Sequence, residues 1–279
     1  RSIAGSVHLT DWEDLYGNEF ADRPLEERFQ RLIVKAHEIT GKKVVVLVDE
    51  YDKPLLEGAD PEQIEHNKAV FKGFFSTLKS YDQYLRFVFI TGVTKFSKVS
   101  IFSDLNQLDD ISLDRAYSGI CGITEEELVK NFAPELQDLA SSEDLNEGAC
   151  MEALKKLYDG YHFSENSEGV YNPFSLLNAF EKKRMGMYWF STGTPTFLLE
   201  RLKKSSFDPK QITEGEVYAD ENVLTDYRYD NPNPVPLFYQ SGYLTIKNYD
   251  KEFRSYQLDY PNDEVRYGFL NSLVPIFLQ

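Results

Sequence analysis

Apolar positions recur at helical spacing after Pro24 and are then followed by an unbroken apolar run. The helical pattern closes at Gly41, a residue typical of a helix C-terminal cap. The run Val44–Val48 is rich in β-branched residues and predicts a strand buried on both faces of a parallel sheet. A second helical pattern opens at Pro61 and leads to a second apolar strand, Phe87–Ile90. This order of helix, strand, helix and strand predicts a parallel α/β fold.

A different pattern begins beyond the polar, Asp-rich connection from Lys95 to Asp114, which is too long for a simple turn between a strand and a helix. Thr124, followed by three glutamates, predicts a capped helix start. Strands are not predicted in the stretch that follows. The helices predicted there span residues 151–158, 173–182 and 195–204.

A proline-rich segment then precedes a predicted β-hairpin. Its strands are expected over Tyr243–Ile246 and Phe253–Leu258, with a turn through Asn248–Asp250. Helices followed by a hairpin predict a winged-helix-like unit. We therefore divide the chain into an α/β core over residues 1–122 and a mainly helical region with a terminal hairpin over residues 123–279.

Acidic residues stand directly after the first predicted strand. Ligands of open parallel sheets bind at the carboxyl ends of the strands. In P-loop NTPases an acidic residue at this place holds Mg²⁺, and a following glutamate polarises the attacking water. These roles fall here to Asp49 and Glu50. Thr91 ends the second strand at the same edge, where its hydroxyl is placed to contact a γ-phosphate or water, as a sensor residue does.

The same residues have simpler interpretations. Asp49 and Glu50 could cap the next turn or face solvent, and Thr91 could be an ordinary β-branched strand residue. The chain also has no G-x-x-x-x-G-K-[ST] loop, whose backbone N–H groups and lysine bind phosphates. The nearest stretch, Gly41-Lys42-Lys43, follows a helix and is interpreted as a helix cap. We therefore expect this chain to bind neither ATP nor Mg²⁺ tightly by itself.

Composition narrows the functions further. Forty-six acidic against 30 basic residues give a net charge of −16, which disfavours nonspecific binding of nucleic acid. Two cysteines without CxxC spacing encode neither a disulfide framework nor a zinc cluster. The sequence shows no membrane-spanning run and no secretory signal, so we expect a protein of the reducing cytoplasm that does not enter a membrane. Both ends, Arg1 and the apolar segment at Gln279, suggest a piece of a longer chain.

Basic side chains leave two questions open. Arg115, Arg254 and Arg266 could each serve as an arginine finger or as a surface ion-pair partner. A basic concentration at residues 182–184 and 201–204 could contact DNA, or it could complement the dipoles of helix C-termini.

Four short segments give the chain a recognisable signature. They are residues 46–54 (VLVDEYDKP), 89–98 (FITGVTKFSK), 158–163 (YDGYHF) and 188–195 (YWFSTGTP). Together they resemble a bacterial AAA-ATPase-like family whose members usually join an ATPase module to a C-terminal PD-(D/E)XK nuclease-like domain. The resemblance extends through nearly the whole chain.

The resemblance implies a partial, AAA-type P-loop NTPase core. Its missing strand and P-loop would precede Arg1, and the nuclease-like domain would follow Gln279. Asp49 and Glu50 would be the Walker B pair, with Thr91 or Thr94 at the sensor position. ATP, Mg²⁺ and DNA are therefore expected partners of the intact protein, and an oligomer is expected only by analogy of fold.

Three hypotheses follow. The first is a piece of a nucleotide-dependent ATPase acting on DNA, in which ATP moves the helical region relative to the core and which does not hydrolyse ATP unaided. The second is a non-enzymatic module whose acidic, aromatic surface binds protein partners. The third is a degenerate NTPase scaffold. Binding of Mg-ATP that depends on Asp49 would favour the first.

Overall fold

The computed structural model describes residues 23–56, 61–94, 105, 107–191, 196–225 and 233–277. The chain divides into two compact units, Arg1–Asp109 and Asp110–Gln279, while the boundary at residue 122 stays a prediction. Both chain ends, most of the connection from Lys95 to Asp114, and residues 192–195 of the fourth signature segment lie outside the described residues. No helix in the described part of the chain is long and apolar enough to cross a bilayer.

The first unit contains the predicted alternation of helices and strands. Helix α1 (Leu25–Thr40) begins after Pro24 and ends at Gly41, whose N–H lies 2.8 Å from the carbonyl oxygen of His37. Gly41 has a left-handed backbone, which glycine adopts at no steric cost, so the predicted cap is confirmed. The remaining elements are β1 (Val44–Val48), α2 (Lys53–Leu56), α3 (Pro61–Ser80), a short 3-10 helix (Asp82–Tyr84) and β2 (Leu85–Ile90).

Strands β1 and β2 pair in parallel, as predicted, with Val48 opposite Ile90. Helices α1 and α3 pack together, and α1 also contacts β1. The helices contribute Ile33 and Leu78 to the core, while Val46 is the buried residue of β1. One face of this two-stranded sheet is therefore shielded from water.

The other face of this sheet is open. Val45, Leu47 and Phe87 are 51%, 70% and 55% exposed. The prediction that β1 is buried on both faces is therefore wrong for the described residues. A run of β-branched residues marks a strand that can be covered twice, but the covering layers come from other parts of the fold.

Helices dominate the second unit, as predicted. The residues predicted to be helical at 151–158 and 173–182 are confirmed, and the third predicted helix is confirmed from Thr196 onward. The elements are a 3-10 turn (Arg115–Tyr117), α4 (Glu125–Asn131), α5 (Ala133–Ser142), α6 (Glu147–Tyr158), α7 (Pro173–Lys182), α8 (Tyr188–Ser191), α9 (Thr196–Lys204), α10 (Lys210–Thr213), β3 (Val217–Ala219), α11 (Glu221–Thr225), α12 (Val235–Gln240), β4 (Thr245–Asp250), β5 (Ser255–Asp259) and α13 (Asp263–Phe277).

The predicted capping box at the start of α4 is present. The Thr124 hydroxyl oxygen accepts a hydrogen bond from the N–H of Glu127 at 3.2 Å, and the Glu127 carboxylate accepts one from the N–H of Thr124 at 3.0 Å. This exchange satisfies two backbone donors that a helix start leaves unpaired. It also lowers the pKa of Glu127, chiefly through the bond from the Thr124 backbone.

Thr124→Ala is expected to lower the free energy of unfolding of the second unit by about 1 kcal/mol, because it removes the cap acceptor. Urea denaturation followed by tryptophan fluorescence measures this loss, in a Trp12→Phe background that leaves Trp189 as the reporter. Ser141→Ala is the matched control, since the Ser141 hydroxyl donates to the Gln137 carbonyl inside α5. Equal losses in the two variants would show that the cap contributes nothing specific.

The second unit also contains a three-stranded antiparallel sheet in the order β3-β5-β4. The prediction that no strand precedes the hairpin is wrong, because β3 pairs with β5. Val217 lies opposite Leu258, and Ala219 lies opposite Tyr256. Three residues are too few to show an alternating pattern, so the strand is defined by its distant partner rather than by its own sequence.

The predicted hairpin is confirmed, but its turn lies later than predicted. Asn248 pairs with Gln257 inside the sheet, so the turn through Asn248–Asp250 is wrong. The Asp250 carboxylate accepts hydrogen bonds from the N–H groups of Glu252 and Phe253, at 2.8 and 3.0 Å, and so fixes the turn after β4. The winged-helix-like arrangement stays a prediction.

A buried carboxylate connects three helices of the second unit. Glu264 of α13 is 1% exposed and accepts hydrogen bonds from the Ser175 hydroxyl of α7 at 2.6 Å and from the Trp189 N–H of α8 at 2.9 Å. Burial raises the pKa of Glu264, and these hydrogen bonds oppose that shift.

The raised pKa predicts how Glu264 affects stability as the pH changes. Its contribution is fully present below the unfolded-state pKa near 4.5 and is lost as the pH rises through the folded-state pKa. Glu264→Gln should therefore gain stability relative to the unaltered chain as the pH rises above this value. Urea denaturation at a series of pH values measures the difference, with the exposed Glu181→Gln as control. A difference that does not change with pH would contradict the prediction.

Candidate functional site

The carboxyl ends of β1 and β2 bring Asp49 and Thr91 into contact. Thr91 continues the parallel pairing, because its N–H donates to the Val48 carbonyl at 2.8 Å. Its hydroxyl donates to Asp49 Oδ1. Asp49 is exposed and Thr91 is half-buried, so the pair lies at an accessible edge. The expected proximity of the two residues is thus observed, whereas their roles toward Mg²⁺ and phosphate stay predictions.

Glu50 follows with an unusual backbone. Its φ of 51° lies in the left-handed region, which residues other than glycine seldom adopt. Its carboxylate lies 3.3 Å from Lys53 Nζ, and both side chains are more than half exposed. An exposed ion pair of this kind is weak, so the contact with Lys53 leaves the Glu50 carboxylate able to bind a water molecule. Backbone strain at such an edge is typical of a functional constraint.

Asp52 is the buried carboxylate of this region. It is fully buried and accepts hydrogen bonds from the Val93 N–H at 3.0 Å, from the Thr94 N–H, and from the Thr94 hydroxyl at 2.7 Å. The Tyr51 hydroxyl donates to the Thr94 carbonyl at 3.1 Å. These hydrogen bonds therefore hold segment 46–54 against residues 89–94, the part of the second signature segment that the structure describes.

The same contacts separate the two candidate sensor residues. Thr94 is 2% exposed, and its hydroxyl donates a hydrogen bond to Asp52. Thr91 stands at the accessible edge beside Asp49 instead. Gly92 lies between them, and a Cβ there would stand 2.6 Å from both Asp52 Oδ1 and the Tyr51 ring. The geometry therefore favours Thr91 for contact with a ligand and leaves Thr94 a structural part.

Asp52 had no role supported by the sequence. Its hydrogen-bond partners lie 41 and 42 residues away, so no local pattern distinguishes it from a carboxylate that faces water. The available signal was the glycine after Thr91, since a glycine at a strand end often marks a close approach of other atoms.

The Asp49 carboxylate fits a magnesium ion that is held mainly by other ligands. Mg²⁺ in nucleotide sites keeps several waters and takes one or two carboxylates together with phosphate oxygens. Among the described residues, no group of three or more His, Cys, Asp or Glu side chains is arranged to hold a metal ion. One exposed carboxylate is compatible with that pattern, and a role for Asp49 toward Mg²⁺ stays a prediction.

The other basic candidates lie on the surface of the second unit. Lys182 stands over the Tyr188 ring, 4.4 Å from its centroid, and Lys183 pairs with Asp138 at 2.7 Å. Both cations are engaged in local contacts, and DNA binding at this group stays a prediction. The three candidate arginine fingers are all exposed: Arg115, Arg254 and Arg266.

The sequence of the first unit is similar to that of an ATPase-like family. Residues 5–102 match the sequence profile of the AAA-ATPase-like family, described as "Predicted AAA-ATPase". This segment includes Asp49, Glu50 and Thr91.

A longer relative matches almost the whole chain. A protein of Azotobacter chroococcum mcd 1, named "Uncharacterized protein in vnfD 5'region", is 39% identical over 274 residues. The similarity covers 97% of this chain and 50% of that protein, so the chain spans about half the length of its relative. No solved structure matches the chain.

Proposed function

We propose that this chain carries the Mg²⁺-binding and water-activating edge of an AAA-type ATPase-like protein, and that a phosphate-binding loop in a longer natural chain completes the site. The observation that carries this proposal is the contact between Thr91 and Asp49 at the carboxyl ends of two adjacent parallel strands. The family match over residues 5–102 supports the class.

In this proposal each residue at the edge has a distinct task. Bound Mg-ATP supplies the phosphoryl group and the metal charge that offsets its negative charge. Thr91 holds one oxygen of the Asp49 carboxylate, and the other oxygen would help to hold Mg²⁺. Glu50 orients the attacking water and accepts its proton. Asp52 keeps the loop that carries Thr91 against the end of β1.

The open sheet face supports a larger core in the intact protein. Parallel sheets are normally covered on both faces, and two strands alone are marginally stable. Further strands and helices of the longer protein would cover Val45, Leu47 and Phe87. The relative is twice as long as the segment matched, which leaves room for such elements. It also leaves room for the nuclease-like domain that the signature implies, through which the intact protein would act on DNA.

Calorimetric titration of Mg-ATP into the 279-residue chain and into the longer natural protein tests this function. We expect the longer protein to bind with a dissociation constant of about 1–100 μM and the shorter chain to bind at least tenfold more weakly. Asp49→Ala should weaken binding by the longer protein, whereas Asp82→Ala, which removes an exposed carboxylate of the same unit, should not. Absence of binding by the longer protein would overturn the proposal.

The open apolar face also favours a second candidate function. A contiguous exposed apolar surface is typical of a site that binds another protein. A module of this kind requires no nucleotide, so it predicts that Asp49→Ala changes nothing in either titration. The same experiment therefore separates the two candidates.

A further inference from the structure

The outer edge of strand β1 has no partner strand in the described part of the chain. Strand β2 pairs with the other edge, and the Val48 carbonyl there accepts a hydrogen bond from the N–H of Thr91 at 2.8 Å. The backbone groups of successive residues point to opposite sides of a strand, so those of Val45 and Leu47 face outward. Outward N–H and C=O groups of this kind are a template for pairing with another strand.

The side chains of the same two residues lie on the open face of the sheet. Val45 is 51% exposed and Leu47 is 70% exposed, whereas Val46 between them is 8% exposed. Side chains alternate between the two faces of a strand, so one further step at each end places Lys43 and Asp49 on the open side as well. A strand that adds to this edge therefore gains backbone hydrogen bonds and side-chain contacts from the same residues.

Opposite charges stand at the two ends of β1. Lys42 and Lys43 precede the strand, and Asp49 and Glu50 follow it. All four residues are exposed. Such a strand is complementary to a copy of itself that runs in the opposite direction, because each basic end then meets an acidic end. The charges therefore point to a second copy of this chain as the partner of the outer edge.

One antiparallel register satisfies the charges and the apolar side chains together. In this register Val46 lies opposite the same residue of the second copy. Val45 then lies opposite Leu47 of that copy, and these are the residues whose backbone groups face outward. One step further out, Lys43 lies opposite Asp49. The neighbouring registers that keep the same backbone groups paired would each place an apolar residue opposite a charged one.

The contact is favourable but small. Directly opposed residues of an antiparallel pair stabilise it when both are apolar or when their charges are opposite. A twofold axis through the centre of the pair makes each of these contacts occur twice. Strand β1 has only five residues, so the interface falls below the roughly 1,200 Å² of stable complexes and the dimer should be weak.

We infer that two copies of this chain associate through β1 in this antiparallel register and so form a four-stranded sheet. The outer edge of each β2 is left for strands of the longer natural protein. The pairing also leaves Asp49 able to bind a metal, because a carboxylate has about four acceptor positions and the Thr91 hydroxyl occupies one. The dimer requires no nucleotide and is therefore separate from the proposed ATPase function.

Sedimentation equilibrium of the 279-residue chain without nucleotide or Mg²⁺, at about 5–500 μM, tests the inference. We expect a monomer–dimer equilibrium with a dissociation constant of about 10–200 μM. The N–H groups of Val45 and Leu47 should exchange with solvent at least about twofold more slowly at the highest concentration. The N–H of Val46 faces β2 and should exchange at the same rate throughout. A monomer at about 500 μM, or a dimer in which the two outward groups are not slowed, overturns the inference.

Reversal of the charges tests the register. Lys42→Glu combined with Lys43→Glu makes both ends of β1 acidic, and Asp49→Lys combined with Glu50→Lys makes both ends basic. Each double variant alone should dimerise at least about tenfold more weakly than the unaltered chain, because like charges then meet. An equimolar mixture of the two should restore the dimer, because acidic ends then meet basic ends. Circular dichroism checks that each variant is folded.

Lys79→Glu and Glu62→Lys are the matched controls, since they reverse exposed charges of α3 in the same unit. Neither should change the dissociation constant of the dimer. The inference is overturned if the double variants dimerise as the unaltered chain does, or if their mixture stays monomeric. If a double variant does not fold, the exchange rates of the unaltered chain decide the question. Binding of Mg-ATP is measured separately, so a failure of either proposal leaves the other intact.

Discussion

Glu50→Gln is expected to lower the rate of ATP hydrolysis by the longer natural protein by about 100-fold or more, because the amide cannot accept a proton from the attacking water. The amide has nearly the same shape as the carboxylate and leaves Asp49 and Thr91 in place. Binding of Mg-ATP should therefore change by less than about threefold, because the contacts that bind ATP before the reaction do not depend on a proton acceptor. Phosphate release at saturating ATP measures the rate, and calorimetry measures the binding.

Glu65→Gln is the control for this experiment. Glu65 pairs with Lys68 at 2.6 Å across three residues, as Glu50 pairs with Lys53 at 3.3 Å. The control therefore removes a similar exposed ion pair from the same unit without touching the strand ends. If hydrolysis is retained in Glu50→Gln, or falls equally in both variants, Glu50 is not the base.

Asp52→Ala is expected to lower the free energy of unfolding of the first unit by about 3–4 kcal/mol, because three donors lose their acceptor, two of them on the buried Thr94. These donors are the N–H groups of Val93 and Thr94 and the Thr94 hydroxyl. Urea denaturation followed by circular dichroism measures the loss. Hydrogen exchange of the two amides shows whether it arises at this loop.

Two further variants define the effect of Asp52. Asp52→Asn keeps one acceptor oxygen and should lose less stability than Asp52→Ala. Asp82→Ala removes an exposed carboxylate from the same unit and should change stability by less than about 0.5 kcal/mol. A loss of that small size in Asp52→Ala would mean that the loop after β2 is held by other contacts.

Much of the fold could be predicted because its signals are local. The Gly41 cap, the Thr124 capping box and the two apolar strands are each defined by neighbours within a few residues. Strand β3 was missed because its three residues obtain their conformation from pairing with β5, 37 to 41 positions along the chain. The open face of the first sheet was missed because coverage depends on other layers, which a strand's own sequence does not encode.

The candidate site shows the same division. Asp49 and Thr91 were expected together because the carboxyl ends of parallel strands meet at one edge. The hydrogen bonds of Asp52 could not be predicted, because they require the register of β1 and β2 to be known.

The charges that flank β1 have a consequence for handling the protein. Unpaired strand edges and an apolar face invite chains to add to one another as strands. Lys42 and Lys43 precede β1, and Asp49 and Glu50 follow it, so a neighbouring strand that adds in parallel brings like-charged ends together, and these ends repel each other. The acidic pair therefore opposes parallel addition of neighbouring chains, and a variant that neutralises it to test ATP chemistry also removes this repulsion.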